Sequence, residues 1–171
     1  MVEKIVGSLI SFFAVFKAIP FGKELIVFII SLMPILELRG GLIAASFLGL
    51  SPLKSYIISV IGNIIPVPFI LWFINRILEL MRNSKHFSSI ALWLDKKVDK
   101  NKTKISKYGF FGLVLFVGIP LPGTGAWTGC LVASVLEMDR KKSFFAAMLG
   151  IIMASIIMMI LSFGLLKHII G

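Results

Sequence analysis

The sequence predicts an all-α integral membrane protein: an inverted repeat of two units, each a re-entrant helical hairpin plus a transmembrane helix, with an N-terminal anchor helix. Three observations predict it. The 171 residues are 58% hydrophobic and only 15% charged, with a mean hydropathy of +1.00, far more apolar than a chain with a water-facing surface. The uncharged runs fall into two classes, some long enough for a bilayer and some too short. The chain also resembles itself at a spacing of 88 residues. These fit a single transmembrane domain over 1–171, divided into an N-terminal helix (1–22), a first repeat (24–81), a basic linker (82–107) and a second repeat (108–171).

Residues 5–16 are uncharged, and with Lys17 snorkelling and 18–22 added they either cross the bilayer or lie in its interface; crossing is favoured. Lys4 before an apolar run resembles a signal peptide, but Lys17 and Pro20 stand where a cleavage site would fall, so an uncleaved anchor is expected. The next runs, 25–36 and 40–53, hold 12 and 14 residues. A span needs about 20, so these read as the two arms of a re-entrant hairpin with Glu37 and Arg39 at its tip. Residues 55–75 and 143–166, with 21 and 24 uncharged residues, read as spanning helices. The run 108–136 has 29 residues and is broken by Pro120-Leu121-Pro122-Gly123-Thr124-Gly125, which cannot continue a helix, so it reads as the second hairpin. Irregular backbone at membrane depth is tolerated only against protein or a water-filled cavity, so both tips are expected to line something polar.

Displacing the chain on itself by 88 positions pairs Pro34 with Pro122, Gly41 with Gly129, Ala45 with Ala133, Ser46 with Ser134, Lys54 with Lys142, Ser55 with Ser143 and Gly62 with Gly150. Ser51 and Asp139 also coincide, each an N-cap candidate before a long helix. A hairpin returns to the side it entered, so hairpin plus span crosses an odd number of times. The second unit is then upside down relative to the first, a recurrent transporter plan.

The formal charge of +10 sits in the connections between apolar runs. That is the positive-inside pattern rather than a nucleic-acid footprint, so no nucleic-acid partner is expected. The linker carries Arg82, Lys85, Lys96, Lys97, Lys100, Lys102, Lys104 and Lys107, and with Lys4, Arg76, Arg140, Lys141 and Lys142 it places 13 basic residues on one side against Lys17, Lys23, Lys54 and Lys167 on the other. The linker is therefore expected to be cytoplasmic in a multi-pass protein of the inner membrane. Within it Phe87, Ile90, Ala91, Leu94 and Val98 recur at helical spacing, the pattern of an amphipathic surface helix or of a solvated connector.

Glu37 and Arg39 are the leading site candidates, since a charge at the bilayer centre costs about 2.5 to 3.5 kcal/mol even on lenient insertion scales. Either Arg39 and the half-helix ends receive an anionic head group while Glu37 exchanges a proton, or the two charges form an internal pair that closes the tip. Gly40 follows them. At the second tip Pro120, Pro122, Gly123, Thr124, Gly125 and Thr128 could present backbone amides and hydroxyls to phosphate oxygens, facing Glu37 and Arg39 across a pseudo-twofold axis. The glycines serve equally for close helix packing, and Trp127 reads as a packing or interfacial residue before a ligand-binding one. Asn63, ahead of Pro66 and Pro68, either satisfies backbone freed by the prolines or lines the path. The lone Cys130 excludes an intrachain disulfide; no metal, no cofactor and no enzyme activity are expected, because no metal-ligand spacing, nucleophile and base pair or Walker motif occurs.

The motifs Glu37-Leu38-Arg39-Gly40-Gly41 and Pro120-Leu121-Pro122-Gly123-Thr124-Gly125-Ala126-Trp127-Thr128-Gly129 resemble the two signatures of the small multi-drug export protein family. That family is similar to the DedA (VTT-domain) superfamily, whose members carry two re-entrant hairpins in an inverted repeat and include flippases for polyprenyl phosphate carriers and lipid scramblases. DedA proteins typically carry an acidic residue after Pro-x-Pro-Gly, where this chain has Thr124. The resemblance implies a secondary transporter, first of all for proton-coupled translocation of an amphipathic anion such as a lipid-linked (polyprenyl) phosphate. An exporter of small amphipathic drugs is the alternative, with a non-transporting membrane organiser or assembly factor as the third class. The expected partners are a membrane lipid or amphipathic small molecule, protons, and a second copy in a homodimer.

Overall fold

A computed structural model of the protein describes residues 20–83 and 107–165, together with Ser89, Leu92, Lys96, Asp99 and Ile105. The expected N-terminal helix and the apolar face of the linker lie outside the described residues; Ser89, Leu92, Lys96 and Asp99 are helical and exposed. All regular structure among the described residues is helical: α1 Gly22–Leu32, α2 Glu37–Phe47, α3 Pro52–Ile64, α4 Pro66–Arg82, α5 Gly109–Gly118, α6 Ala126–Val135, α7 Arg140–Met159, and a π-helical stretch Ile160–Leu165.

Each boundary has a local cause. Helix α1 ends where Met33 turns extended ahead of Pro34, a residue whose ring disfavours helix in its predecessor. Helix α3 starts with Pro52 at its first position, where no N–H is missed. Pro66 and Pro68 cannot donate to the turn before them, and the helix breaks at Ile65 before α4 resumes. Even so, Pro52–Leu80 (29 residues) and Arg140–Gly164 (25 residues) are long and apolar enough to cross a membrane.

The described chain forms two compact units. The first contains the residues up to Ile65 and those from Ile152 onward; the second is Pro66–Ile151. The division does not follow the two repeats read from the sequence, because it falls inside each long helical run, at Ile65 and at Ile151. In the first unit α1 packs on α2 and α3, α2 packs on α3, and the π-helical stretch closes on α2. In the second, α6 packs on both α4 and α5.

The burial pattern is the reverse of a soluble helix's. On α3 the buried residues are Ser55, Ser59, Gly62 and Asn63, while Leu53, Ile57 and Ile61 are exposed, Leu53 at 71%. Helix α7 buries Ser143, Ala146, Ala147, Ala154 and Ser155 and exposes Phe145, Leu149, Ile152 and Ile156. Small and polar groups inside with large apolar groups outside is the arrangement for helices surrounded by hydrocarbon, where close backbone approach replaces hydrophobic association.

The backbone repeats itself at the spacing read from the sequence. Left-handed residues recur in three pairs 88 positions apart: Phe21 and Gly109, Glu37 and Gly125, Gly49 and Glu137. Helices α2 and α6 end in the same paired bonds, Gly49 N–H to Ser46 O and Leu50 N–H to Ala45 O in one, Glu137 N–H to Ser134 O and Met138 N–H to Ala133 O in the other. This is the Schellman arrangement, with the left-handed residue just past the helix. Four glycines of the repeat act in pairs. A methyl at Gly62 would meet the Phe28 carbonyl oxygen at 3.0 Å, and one at Gly150 would meet that of Val114 at 2.9 Å; Gly41 abuts Ser31 and Ser59 as Gly129 abuts Val117 and Leu113.

Two sequence expectations change. The ungapped pairing fails at the tips, because α1 and α2 are joined by four residues and α5 and α6 by seven. Pro34 and Pro122 each stand three residues ahead of the paired Glu37 and Gly125, but on the α1 side the register shifts by two, and the place of Ser31 is taken by Val117, 86 positions on. The N-caps also differ: the Asp139 carboxylate accepts from Lys142 N–H at 2.8 Å, whereas Ser51 makes no side-chain capping bond and offers only its backbone carbonyl, to Ser55.

Candidate functional site

The first tip is built by a short turn. Met33 N–H bonds Ile30 O, Glu37 N–H bonds Met33 O, and Gly40 N–H bonds Leu36 O, which drives α2 back along α1. Pro34 and Ile35 project outward, whereas Leu36, Glu37 and Leu38 turn inward. Glu37 opens α2 with φ 51 and is only 4% exposed. A left-handed backbone costs a non-glycine residue roughly 1 to 2 kcal/mol, and a buried carboxylate adds a desolvation cost. Two unfavourable features on one residue mark the place where the chain gives up stability for another end. Arg39 is partly buried and interacts electrostatically with Glu37. Gly40 is buried where a methyl would press on Ile30 of α1 at 3.2 Å.

Asn63 belongs with this tip. Helices α2 and α3 are joined by only four residues and run back on each other, with Gly41 against Ser59. Counting one turn along each from that contact brings Glu37 level with Asn63. Asn63 is 1% exposed, and neither its amide nitrogen nor its amide oxygen has a hydrogen-bond partner among the described residues. Sequence reading set Asn63 between two roles. The structure takes it away from simple satisfaction of backbone groups.

The second tip is a different object. Ile119 is extended and Leu121 N–H returns to Ile119 O. Gly123 at φ 83 and Gly125 at φ 137 make the turn into α6, conformations that a side chain disfavours. The Thr124 hydroxyl lies 2.9 Å from Ile119 O and 2.8 Å from Leu121 O and donates into its own loop. It serves as an internal clasp for the turn. Pro122 and Gly123 are exposed, Pro120 is intermediate, and Gly125 and Thr128 are buried. Trp127 is partly buried and lines an apolar groove of about 370 Å³ with Pro66, Phe69, Phe73, Ile77 and Leu80 of α4 and the stem of Arg76.

The structure thus gathers Glu37, Arg39, Gly40 and Asn63 in one unit and Pro120, Pro122, Gly123, Thr124, Gly125, Trp127 and Thr128 in the other. Sequence reasoning missed the α4 groove residues, whose phenylalanines look like ordinary lipid-facing positions, and the buried serines of α3. The recurrence of serine every fourth residue at 51, 55 and 59 was the available signal for the latter.

No curated relative and no solved structure matches the chain. A family model described as "Putative small multi-drug export protein" matches residues 37–157, beginning at Glu37 within the first tip and enclosing the second. With its apolar exterior and two long apolar helices, the chain is a membrane protein that belongs to this small multi-drug export protein family.

Proposed function

We propose that the protein is a proton-coupled secondary exporter of small amphipathic molecules, with Glu37 as the proton site and the Trp127 groove as the seat for the apolar body of the substrate. The observation that carries the reading is Glu37: a buried carboxylate on a left-handed backbone at the start of the family match. Glu37 has a single exchangeable proton, so its binding and release changes the charge beside Arg39 without moving a large part of the chain. The groove supplies aromatic surface from Phe69, Phe73 and Trp127, and the stem of Arg76 borders it. Small amphipathic molecules are therefore the substrate class, with anions put first because Arg39 is the cation beside the proton site.

The family description favours small compounds over the lipid-linked phosphate that the sequence reading placed first. The proposed architecture is the one read from the sequence: two re-entrant hairpins related by inversion, the basic linker on the cytoplasmic side, and Lys23 and Lys54 at the opposite face. On this reading a proton gradient drives export.

The test is transport in proteoliposomes. A sulfonated fluorescent dye and a phosphonium dye are loaded separately, with and without a pH gradient. Gradient-stimulated movement of the sulfonate is expected, and Glu37→Gln is expected to remove the stimulation. If wild type moves neither dye, or if Glu37→Gln responds to the gradient as wild type does, the proposal fails. Movement of the phosphonium alone would leave an exporter but reverse the charge of its substrate.

A further inference from the structure

Helix α3 carries a polar line that neither an apolar core nor a lipid-facing surface requires. Ser51, Ser55, Ser59 and Asn63 follow one another at four-residue intervals, the spacing that keeps side chains on one helical face. Ser51 is exposed at the head of the helix; Ser55 and Ser59 are 0% exposed and Asn63 is 1%. At about 1.5 Å per residue the line runs roughly 18 Å from the mouth of the unit to the level of Glu37.

The hydroxyls along it are not used alike. A serine in an apolar helix ordinarily donates to the carbonyl one turn back. Ser55 does so to Ser51 O at 2.8 Å, and on α1 Ser31 does so to Val27 O at 2.7 Å. Ser59 does not: its hydroxyl has no partner among the described residues, and the same holds for both ends of the Asn63 amide. An amide offers two donors and an acceptor, and leaving such groups dry in a buried site is unfavourable. Gly41 keeps room beside Ser59, since a methyl there would reach 2.9 Å from the Ser59 oxygen and collide with that of Ser31.

The second half of the chain shows that the packing does not need these groups. At the positions 88 residues on, Ser59 becomes Ala147 and Asn63 becomes Ile151, both buried, and Val117 stands where Ser31 stands against the paired glycine. The same crossing of helices is thus built in the second half without the Ser59 and Asn63 groups, although Ser143 stands buried where Ser55 does.

We infer that Ser51, Ser55, Ser59 and Asn63 form a water-filled proton path from the α3 mouth to Glu37. Water is the ligand small enough to meet an orphaned hydroxyl and amide in a buried line, with each molecule bridging two groups. A proton passed along these bridges reaches the Glu37 carboxylate, and the reverse relay returns it to the mouth. The charged groups on the packed elements stand at the surface end. Lys23 of α1 donates to Leu48 O at 2.9 Å, Lys54 of α3 lies 4.0 Å from Glu24 of α1, and Tyr56 also belongs to that end of α3. Arg39 is the charge beside Glu37 itself. The inference rests on the reading of Glu37 as the proton site, but the wetness of the line is testable without any transport.

In a Cys130→Ala background, single cysteines at Ser55, Ser59, Asn63, Ala147 and Ile151 are exposed to Ag⁺ in reconstituted liposomes, after each variant is shown to elute as a monodisperse species. Cysteines at 59 and 63 are expected to react at least tenfold faster than those at 147 and 151. Equal rates would overturn the path, whether or not the protein transports. A second arm uses Ser59→Ala, which installs the residue of the other half. A several-fold slower gradient-driven rate with an unchanged half-saturating substrate concentration is expected, and an unchanged rate would overturn the relay.

Discussion

The hairpin of α1 and α2 and the hairpin of α5 and α6 share a backbone plan, and the helices that follow them share the buried Ser55 and Ser143, but the two tips differ in chemistry. Both turn into their second helix through a left-handed residue, Glu37 or Gly125, and both leave it through another, Gly49 or Glu137. Both place a glycine against the neighbouring helix where nothing larger fits, at Gly41 and Gly129. Around that common frame the first unit buries Glu37, Ser31, Ser59 and Asn63, while the second buries Val117, Ala147 and Ile151 and opens an aromatic groove at Trp127. The repeated geometry accounts for the packing and keeps a buried serine at 55 and 143; Ser31, Glu37, Ser59 and Asn63 belong to the first half alone.

The largest expected effect of breaking this comparison is on activity. Glu37→Gln, which keeps shape and removes the titration, should abolish gradient-stimulated dye movement while the protein remains folded in detergent. Asp139 and Glu137 of the second half should tolerate the same amide change with transport intact.

Next come the paired glycines, where the two halves should respond alike. Gly62→Ala and Gly150→Ala each press a methyl toward a backbone carbonyl that cannot rotate away. Each should cost about 1 to 3 kcal/mol, read as a lower midpoint in unfolding from mixed micelles. A marked loss at one and none at the other would break the equivalence of the two crossings. Smaller still is the relief of Glu137, exposed at φ 53 where its counterpart is Gly49. Glu137→Gly should stabilise by about 0.5 to 1 kcal/mol, the residue of left-handed strain left after the added chain entropy. An effect of comparable size separates the two caps. Asp139→Ala should cost about 1 kcal/mol through loss of its bond to Lys142 N–H, whereas Ser51→Ala should stay within a few tenths, since no capping bond is there to lose.

Much of this arrangement was legible in the amino acids because it depends on local signals. Run lengths and prolines located most of the helices, although 55–75 reads as one span and the structure interrupts it at Ile65, and the offset of 88 recurs in the three pairs of left-handed residues. The tips were less legible. The offset of 88 holds from the prolines onward, but the first helix of each hairpin keeps a register of 86 across loops of four and seven residues, because loop length is set by how the flanking helices meet and leaves little trace in composition. Thr124 looked like a ligand donor, and its hydroxyl instead closes its own turn, a choice between neighbours that only three-dimensional proximity decides. The serines of α3 were overlooked for the opposite reason: scattered in an apolar run they look unremarkable, and only burial without a partner singles out Ser59 and Asn63.

The most direct test of the central claim, that one half handles the proton and the other the substrate, is the concentration dependence of dye export with and without a pH gradient for Glu37→Gln and Trp127→Ala side by side. Glu37→Gln should lose the response to the gradient with little change in half-saturating concentration, and Trp127→Ala should raise that concentration severalfold while keeping the response. If both substitutions move the same parameter, or if Glu37→Gln keeps its gradient response, the division between the two halves is wrong.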